Sequence, residues 1–488
     1  MVASHLEDDT SLVTTTHVCH LWRTALVSSP RLWSHLTFAN QKRALAFWER
    51  SKSVPLCVDL TGVLNPSEIV KESLRKVGTR VATWRGRHDF FLDEILGRST
   101  PVLELLDVIE VPGLVWSMMQ IRSLPSLRTL MISGSARIPF RAPHLTTFRA
   151  TFDTTGRTLG GMSTAIVNFF KGCPLLEEVY VKYSEGERPY RDFTADGLVS
   201  IPYLRSLTHV SPNQGVQLGL FDRLSLPPTC QLVFATHATN LERFPRFPAF
   251  PTLRDPFNLS DITRAKIMAR SHNLDPRRGT PHVVFSIELG SSRGARVSFE
   301  MESHHSGNYF DYSLYGLLNV FERVELGSAE TLCLDHLGAP GSPVADFGPV
   351  HRSHITRTLQ NYRNLKTLIL VESGLILSFV DLDLFVTVDT LVVYSSRVRV
   401  RLGVEDPEVD VIYRVGDIAA SRQSGGFPIK DLTLVFGDDE AVLLERLGDL
   451  GELKSYVGRV QVVSGVDALG WDVDKYFLGG RDHPRQRH

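Results

Sequence analysis

The strongest constraint on this chain is a recurring frame, Leu-x-x-Leu-x-Leu, preceded by proline and a turn. Full copies run Pro125 to Ile132, Pro143 to Ala150, Pro174 to Val181, Pro202 to His209 and Arg363 to Leu370. With 43% of residues hydrophobic, three apolar residues at fixed offsets arise by chance at about 8% of positions, so the bare triplet carries nothing. The longer frame does. Four of the five copies place Pro two residues before the first Leu, and polar residues fill the gaps. Helix-like stretches at 114–121, 166–170 and 355–359 precede three of them. Shorter echoes start at Leu103, Ala329, Val388 and Ile429.

One strand plus one helix cannot bury its apolar side alone, whereas stacked neighbours can. The first leucines at 127, 145, 176 and 204 have irregular spacings of 18, 31 and 28 residues. These bracket the unit length of leucine-rich repeats. The expected fold is therefore α/β: an irregular leucine-rich-repeat-like solenoid with a parallel sheet. The alternative is a regular α/β array not built from repeats. Strand alternation sends Leu127, Leu130 and Ile132 inward and leaves a row on the opposite face. That row is Thr129/Met131, Thr147/Arg149, Glu178/Tyr180, Ser206/Thr208 and Thr367/Ile369. Its mixture of Arg, Glu, Tyr and Met suits a protein partner, with Met131, Arg149, Glu178, Tyr180, Thr208 and Ile369 as target-binding candidates.

Elsewhere the pattern weakens. Residues 240–282 hold six prolines, including Pro245, Pro248 and Pro251, and read as a long connection inserted in the array. Residues 283–289 and 295–301 read as two strands around a tight turn. Loops are expected at 183–200, 336–350 and 416–428, and a disordered tail from Gly479.

The 53 Lys+Arg and 54 Asp+Glu leave a net charge of −1, so there is no basic field to collect phosphates, and nucleic acid is excluded as a generic partner. Five widely spaced cysteines form neither a disulfide framework nor a zinc knuckle and read as free thiols in a reducing compartment. The start, Met1-Val2-Ala3-Ser4-His5-Leu6-Glu7, is unlike a signal peptide. No run of 18 uncharged apolar residues exists to span a membrane. The expected location is cytoplasmic or nuclear, and the sequon at Asn258 then carries no meaning.

Candidate chemistry is thin. Gly290-Ser291-Ser292-Arg293-Gly294 matches a nucleophile elbow, but that motif needs a helix directly after the serine. Residues 295–299 are strand-like, so a hairpin turn is expected and a hydrolase on Ser292 is the weakest of the readings. His17, Cys19 and His20, and the pair His304-His305, lack partners at metal-site spacing. Asp381 and Asp383, and Asp438-Asp439-Glu440, lack the remaining elements of a calcium loop. The latter run suits the cap of a helix carrying Val442, Leu443, Leu444 and Leu447. No phosphate-binding loop and no Gly-x-Gly-x-x-Gly is present. No catalytic set, cofactor or metal is expected.

The N-terminus differs from the rest. Asp9 or Thr10 can cap a short helix carrying Leu12 and Val13. A second helix is expected over 17–27, with Val18, Cys19, Trp22, Ala25 and Leu26 as one apolar stripe, ended by Ser28-Ser29-Pro30. These residues resemble the C-terminal two-thirds of an F-box. Val18, Cys19, Trp22 and Arg23 match its Val-Cys-x-x-Trp-Arg, and Pro30, Leu32 and Trp33 match its Pro-x-Leu-Trp. The continuation through Phe47-Trp48-Glu49-Arg50-Ser51 to Leu60 resembles the large F-box proteins of mushroom-forming fungi, whose F-box precedes irregular leucine-rich-repeat-like arrays. A typical F-box opens with Leu-Pro and an apolar helix, where this sequence has only Met1-Val2-Ala3-Ser4, and a front end cut short is the expectation.

The resemblance implies a non-catalytic substrate receptor of an SCF-type cullin–RING ubiquitin ligase. Leu6, Leu12, Val18, Cys19, Trp22, Leu26, Pro30, Leu32 and Trp33 would dock on a Skp-type adaptor carried by a cullin scaffold. The expected organisation is a partial F-box over 1–38, the array over 39–480 and the tail over 481–488. The alternative is a repeat scaffold that has lost its coupling to the ligase.

Overall fold

The computed structural model describes residues 13–61, 63, 67–87, 102–109, 122–134, 140–152, 162–183, 198–210, 224–238, 262–272, 282–291, 296–303, 328–335, 362–371, 387–395, 409–436 and 450–464. The chain divides into two compact units, Met1–Pro227 and Pro228–His488. Each is α/β, with a large and mostly parallel sheet and few helices. Several expectations fall outside the described residues: the cap at Asp9 or Thr10, the helices at 114–121, 355–359 and 442–447, the loop at 336–350, and the tail.

In the first unit, helix α1 (His20–Val27) and a 3-10 turn (Pro30–Trp33) lead into strand β1 (His35–Thr37). Helix α2 (Gln41–Ser51), β2 (Leu56–Asp59), α3 (Glu68–Val77), β3 (Val81–Arg87) and β4 (Leu105–Ile109) follow. Then come β5 (Arg122–Ser123), β6 (Thr129–Gly134), β7 (Phe140–Arg141), β8 (Thr147–Phe152), α4 (Met162–Phe170) and β9 (Glu178–Tyr183). The unit ends with β10 (Val199–Ser200), β11 (Ser206–Val210) and β12 (Leu224–Ser225). The main sheet runs β1-β2-β3-β4-β6-β8-β9-β11, and every pair in it is parallel. Two short parallel pairs, β5 with β7 and β10 with β12, lie one turn upstream of the long strands.

The frame read from the sequence is the physical unit of this sheet. A short strand, or helix α4 ahead of Cys173, leads into a turn whose first residue is apolar and whose second is proline. The turn closes with bonds from Leu127 N to Leu124 O, Leu145 N to Ala142 O, Leu176 N to Cys173 O and Leu204 N to Ile201 O, at 3.1–3.3 Å. Proline pre-sets the φ that the second position of such a turn requires. Counting the first turn residue as zero, positions 0, 3, 6 and 8 all point inward. Leu124, Leu127, Leu130 and Ile132 are buried in one copy, and Cys173, Leu176, Val179 and Val181 in another. Copies are joined by a shared acceptor. The carbonyl of Thr146 takes the N–H groups of both Glu177 and Glu178, and Glu104, Arg128 and Glu177 do the same for the copy that follows each.

Helices close the core side. Phe169 and Phe170 of α4 lie 5.6 and 5.4 Å from Phe148 of β8, ring centre to ring centre. The helix ends are chemically ordinary: Asn40 caps α2 through Arg43 N, and Ser67 caps α3 through Val70 N.

The second unit contains β13 (Gln231–Ala238), β14 (Ile262–His272), β15 (His282–Ser291), β16 (Arg296–Ser303), β17 (Thr331–Asp335), β18 (Thr367–Val371) and β19 (Thr390–Ser395). It continues with α5 (Val409–Ser424), β20 (Ile429–Phe436), α6 (Leu450–Tyr456) and β21 (Val457–Ser464). Its order is β13-β16-β15-β14-β17-β18-β19-β20-β21, with only β15 antiparallel to its neighbours. The echoes at Leu103, Ala329, Val388 and Ile429 are all buried first positions of strand frames. The carbonyls of Glu330, Lys366 and Asp389 each take two N–H groups from the next copy, as in the first unit.

Two expectations need correction. The connection at 240–282 contains the eleven-residue strand β14. Its second face carries Arg264 and Lys266, which hid the apolar alternation of Ala265 and Ile267. The loop at 416–428 is mostly helix α5. Gly416 meets nothing within 4 Å where a side chain would be, so it obstructs no packing. Val415, Ala419 and Arg422 form the buried stripe. The helix stops where Gly426 takes φ +83°, a conformation glycine adopts at little cost.

Arg422 fastens α5 to the sheet. Its Nε donates to Phe427 O at 3.0 Å and its Nη2 donates to Val388 O. Arg422→Met leaves both carbonyls short of a donor and should cost about 2–3 kcal/mol in urea unfolding. His209 occupies position 8 of its frame, fully buried beside Tyr183. Burial lowers its pKa from 6.5 to about 3. The unfolded chain therefore binds more protons between those values, and stability falls as pH drops from 6.5 toward 3, by up to ~1.4 kcal/mol per pH unit. The stability difference between wild type and His209→Met, followed by urea midpoints, should shift against the wild type across that window.

Candidate functional site

Two surfaces bring the sequence-derived site residues together, and both belong to the first unit. The first is helix α1. Cys19 caps it, its sulfur accepting from Trp22 N at 3.5 Å, and Arg23 Nε donates back to Thr16 O at 3.1 Å. The cap fixes where the helix begins and hence which face turns outward. Val18 (67%), Leu21 (76%) and Trp22 (38%) are exposed, with Ala25 exposed at the next turn. Leu21, Trp22 and Ala25 lie on one side of the helix, and Val18, just ahead of the extended cap residue Cys19, is exposed beside its start.

The other half of the set faces inward. Leu26 and Trp33 are buried in the chain's own core and offer no surface to a partner. Trp33 Nε1 donates to Leu26 O at 2.8 Å. Its ring meets Phe47 edge-on at 4.9 Å and carries the Arg50 guanidinium 4.5 Å from its centre. Trp33 thus pins the 3-10 turn onto α2, and Pro30 and Leu32 remain half-buried beside it. Leu6 and Leu12 lie outside the described residues. Leu21, the most exposed apolar side chain of the stripe, was missed by sequence reading. Starting the stripe at Val18 and stepping by three would have found it.

The second surface is the open face of the sheet. Register places Asp59, Arg85, Asp107, Met131, Arg149, Tyr180 and Thr208 side by side on consecutive strands. A second row, Thr83, Leu105, Thr129, Thr147, Glu178 and Ser206, runs alongside. The expected Met131, Arg149, Glu178, Tyr180 and Thr208 are therefore adjacent and at least partly exposed. Ile369 does not join them. It is fully buried with Cys333, Val371 and Val392, because this face of the second unit's sheet is itself packed. Asp59, Arg85 and Asp107 were missed, although the echo at Leu103 puts Asp107 at the same offset as Met131.

Electrostatics differ along the row. Arg85 Nε stands 3.9 Å from Asp107 Oδ2, and Arg149 Nη2 stands 4.0 Å from Glu178 Oε2. Burial pushes the Asp107 carboxyl above its usual range; Arg85 opposes this and Asp59 adds to it. Burial likewise raises the Tyr180 phenol, with Arg149 opposing, so it stays protonated.

Other candidates resolve simply. β15 and β16 pair antiparallel from Val283–Ser303 to Gly290–Arg296, which puts a strand where a nucleophile elbow at Ser292 needs a helix. Among the described residues, no group of three or more His, Cys, Asp or Glu stands together to hold a metal ion. His304, His305, Asp381, Asp383, and the run from Asp438 to Glu440 lie outside those residues. All five cysteines are free, and burial pushes the Cys173 and Cys230 thiols up to about 12. No helix of the described residues is long and apolar enough to cross a membrane. No protein-family model, curated protein or solved structure matches the chain.

The two tryptophans should separate cleanly. Trp33→Ala removes a buried ring and should cost about 3–5 kcal/mol. Trp22→Ala should change stability by less than about 1 kcal/mol. Paired urea titrations of the full chain measure both.

Proposed function

We propose that the chain is the substrate-recognition subunit of an SCF-type cullin–RING ubiquitin ligase. The N-terminal helices dock on a Skp-type adaptor bound to the cullin scaffold. The remainder, read as an irregular leucine-rich-repeat-like solenoid, presents a target protein. The receptor performs no chemistry. It raises the effective concentration of a target lysine near the conjugating enzyme. A cytoplasmic or nuclear location follows from that role.

The observation that carries the reading is the division of labour within the F-box-like segment. Val18 and Trp22, two of the residues that match the F-box pattern, are exposed as Leu21 is, while Trp33 is buried in the core of the segment. Exposed apolar side chains so close together support a docking role. The recurring frame in the same unit offers a parallel sheet on which a second partner would be held.

Co-expression with a Skp-type adaptor tests the proposal. The wild-type chain, or one extended upstream to a Leu-Pro start, should co-purify with the adaptor. Leu21→Asp and Trp22→Asp should weaken the complex at least about tenfold while leaving the urea midpoint of the free chain unchanged. Failure of both wild-type forms to bind removes the ligase reading.

A further inference from the structure

The open face of the first unit is charge-ordered. In the row, strands β2 to β4 present Asp59 and Asp107 around Arg85, while β8 presents Arg149, whose guanidinium is paired with Glu178 of β9. Between them lies the uncharged strand β6, with Met131 at its centre and Leu105 diagonal to it. Within this row, Asp59, Arg85 and Asp107 carry an excess of one negative charge, and Arg149 carries one positive charge. The ion pairs within it, at 3.9 and 4.0 Å, are longer than hydrogen bonds. The Asp107 carboxylate and the Arg149 guanidinium therefore keep bonding capacity toward a partner.

We propose that this row binds a peptide segment crossing the strands in the polyproline-II conformation, with a basic residue over Asp107, an acidic residue over Arg149 and an apolar residue between them beside Met131. The proposal rests on the receptor reading and adds the chemical class of the target segment. Spacing follows from geometry. Neighbouring strands lie about 4.8 Å apart, so Asp107 and Arg149, two strands apart, are separated by roughly 10 Å. A polyproline-II chain advances about 3.1 Å per residue with three residues per turn, so a basic and an acidic residue three positions apart stand about 9 Å apart on the same side.

The electrostatics favour this order. The burial that disfavours the Asp107 carboxylate outweighs the help of Arg85. A cation supplied by the partner relieves that imbalance, and one supplied at Arg149 would not. Tyr180, kept protonated beside Arg149, is a further donor for an acidic group. Like charges placed over either end meet the face's own excess, which is how such a row rejects wrong partners.

Fluorescence anisotropy of the full chain with labelled probe peptides tests this. One probe carries Lys-Leu-Ser-Glu between Gly-Ser flanks. Two controls replace the charged pair with Lys and Lys, or with Glu and Glu. The mixed-charge probe should bind about tenfold more tightly than either control, and the difference should shrink in high salt. Arg149→Glu, an exposed change that should leave the melting curve unmoved, should transfer the preference to the Lys-Lys probe. Equal binding of all three probes, or an unmoved preference in Arg149→Glu, overturns the proposal. Adaptor co-purification is read separately. Loss of peptide selection with the adaptor still bound sinks the row alone, and loss of the adaptor with selection intact sinks the ligase reading alone.

Discussion

One backbone carbonyl ahead of each strand organises the sheet. By accepting from two successive N–H groups of the next copy, the carbonyls of Glu104, Arg128, Thr146 and Glu177 fix both the spacing and the register of their neighbours. A slip of one residue would turn every inward leucine outward. The shared acceptor opposes this at the point where those strands begin. The side chains at that point add little. Lys366 with Glu330 and Lys430 with Asp389 are exposed pairs at 2.8 and 3.0 Å. Such exposed pairs add little, because water screens them. Backbone geometry sets the register and burial rewards it.

Much of the first unit was legible because local and tertiary signals agree there. Proline at the second turn position, leucine closing the turn and alternation in the strand all name the same residues, from Leu124 to Ile132 and from Ile201 to His209. Strand β14 was illegible for the opposite reason. Arg264 and Lys266 occupy its second face, and Lys266 is buried nonetheless, so polarity and burial part company. Helix α5 was missed because Gly416 and Asp417 resemble loop chemistry, whereas the buried stripe Val415, Ala419 and Arg422 ends in a charged residue.

The N-terminal segment shows the same limit. Sequence spacing put Trp22 and Leu26 on one stripe, and the F-box resemblance added Trp33 to the same docking set. The cap at Cys19 and the turn at Pro30 send them to opposite sides. Residue type alone cannot distinguish a tryptophan that holds a fold together from one that offers a surface. The fate of Ile369 was readable in principle. Strand β18 runs Thr367-Leu368-Ile369-Leu370-Val371, a nearly continuous apolar stretch of the kind that is covered on both faces. β8, with Arg149 and Thr151 between its core residues, is covered on one face only.

The position four residues after the first frame leucine takes no part in the turn, the shared carbonyl or the core. In the first unit it holds Asp107, Met131, Arg149, Tyr180 and Thr208, five different chemistries on one scaffold. Folding places almost no demand on these sites, so drift can rewrite their identities while the architecture persists. The second unit has no such freedom, because there the same offset falls on Ile369 in a packed cluster. Descendants of this chain can diverge in what they hold while remaining superimposable, and that divergence will be concentrated on one face of one half of the molecule.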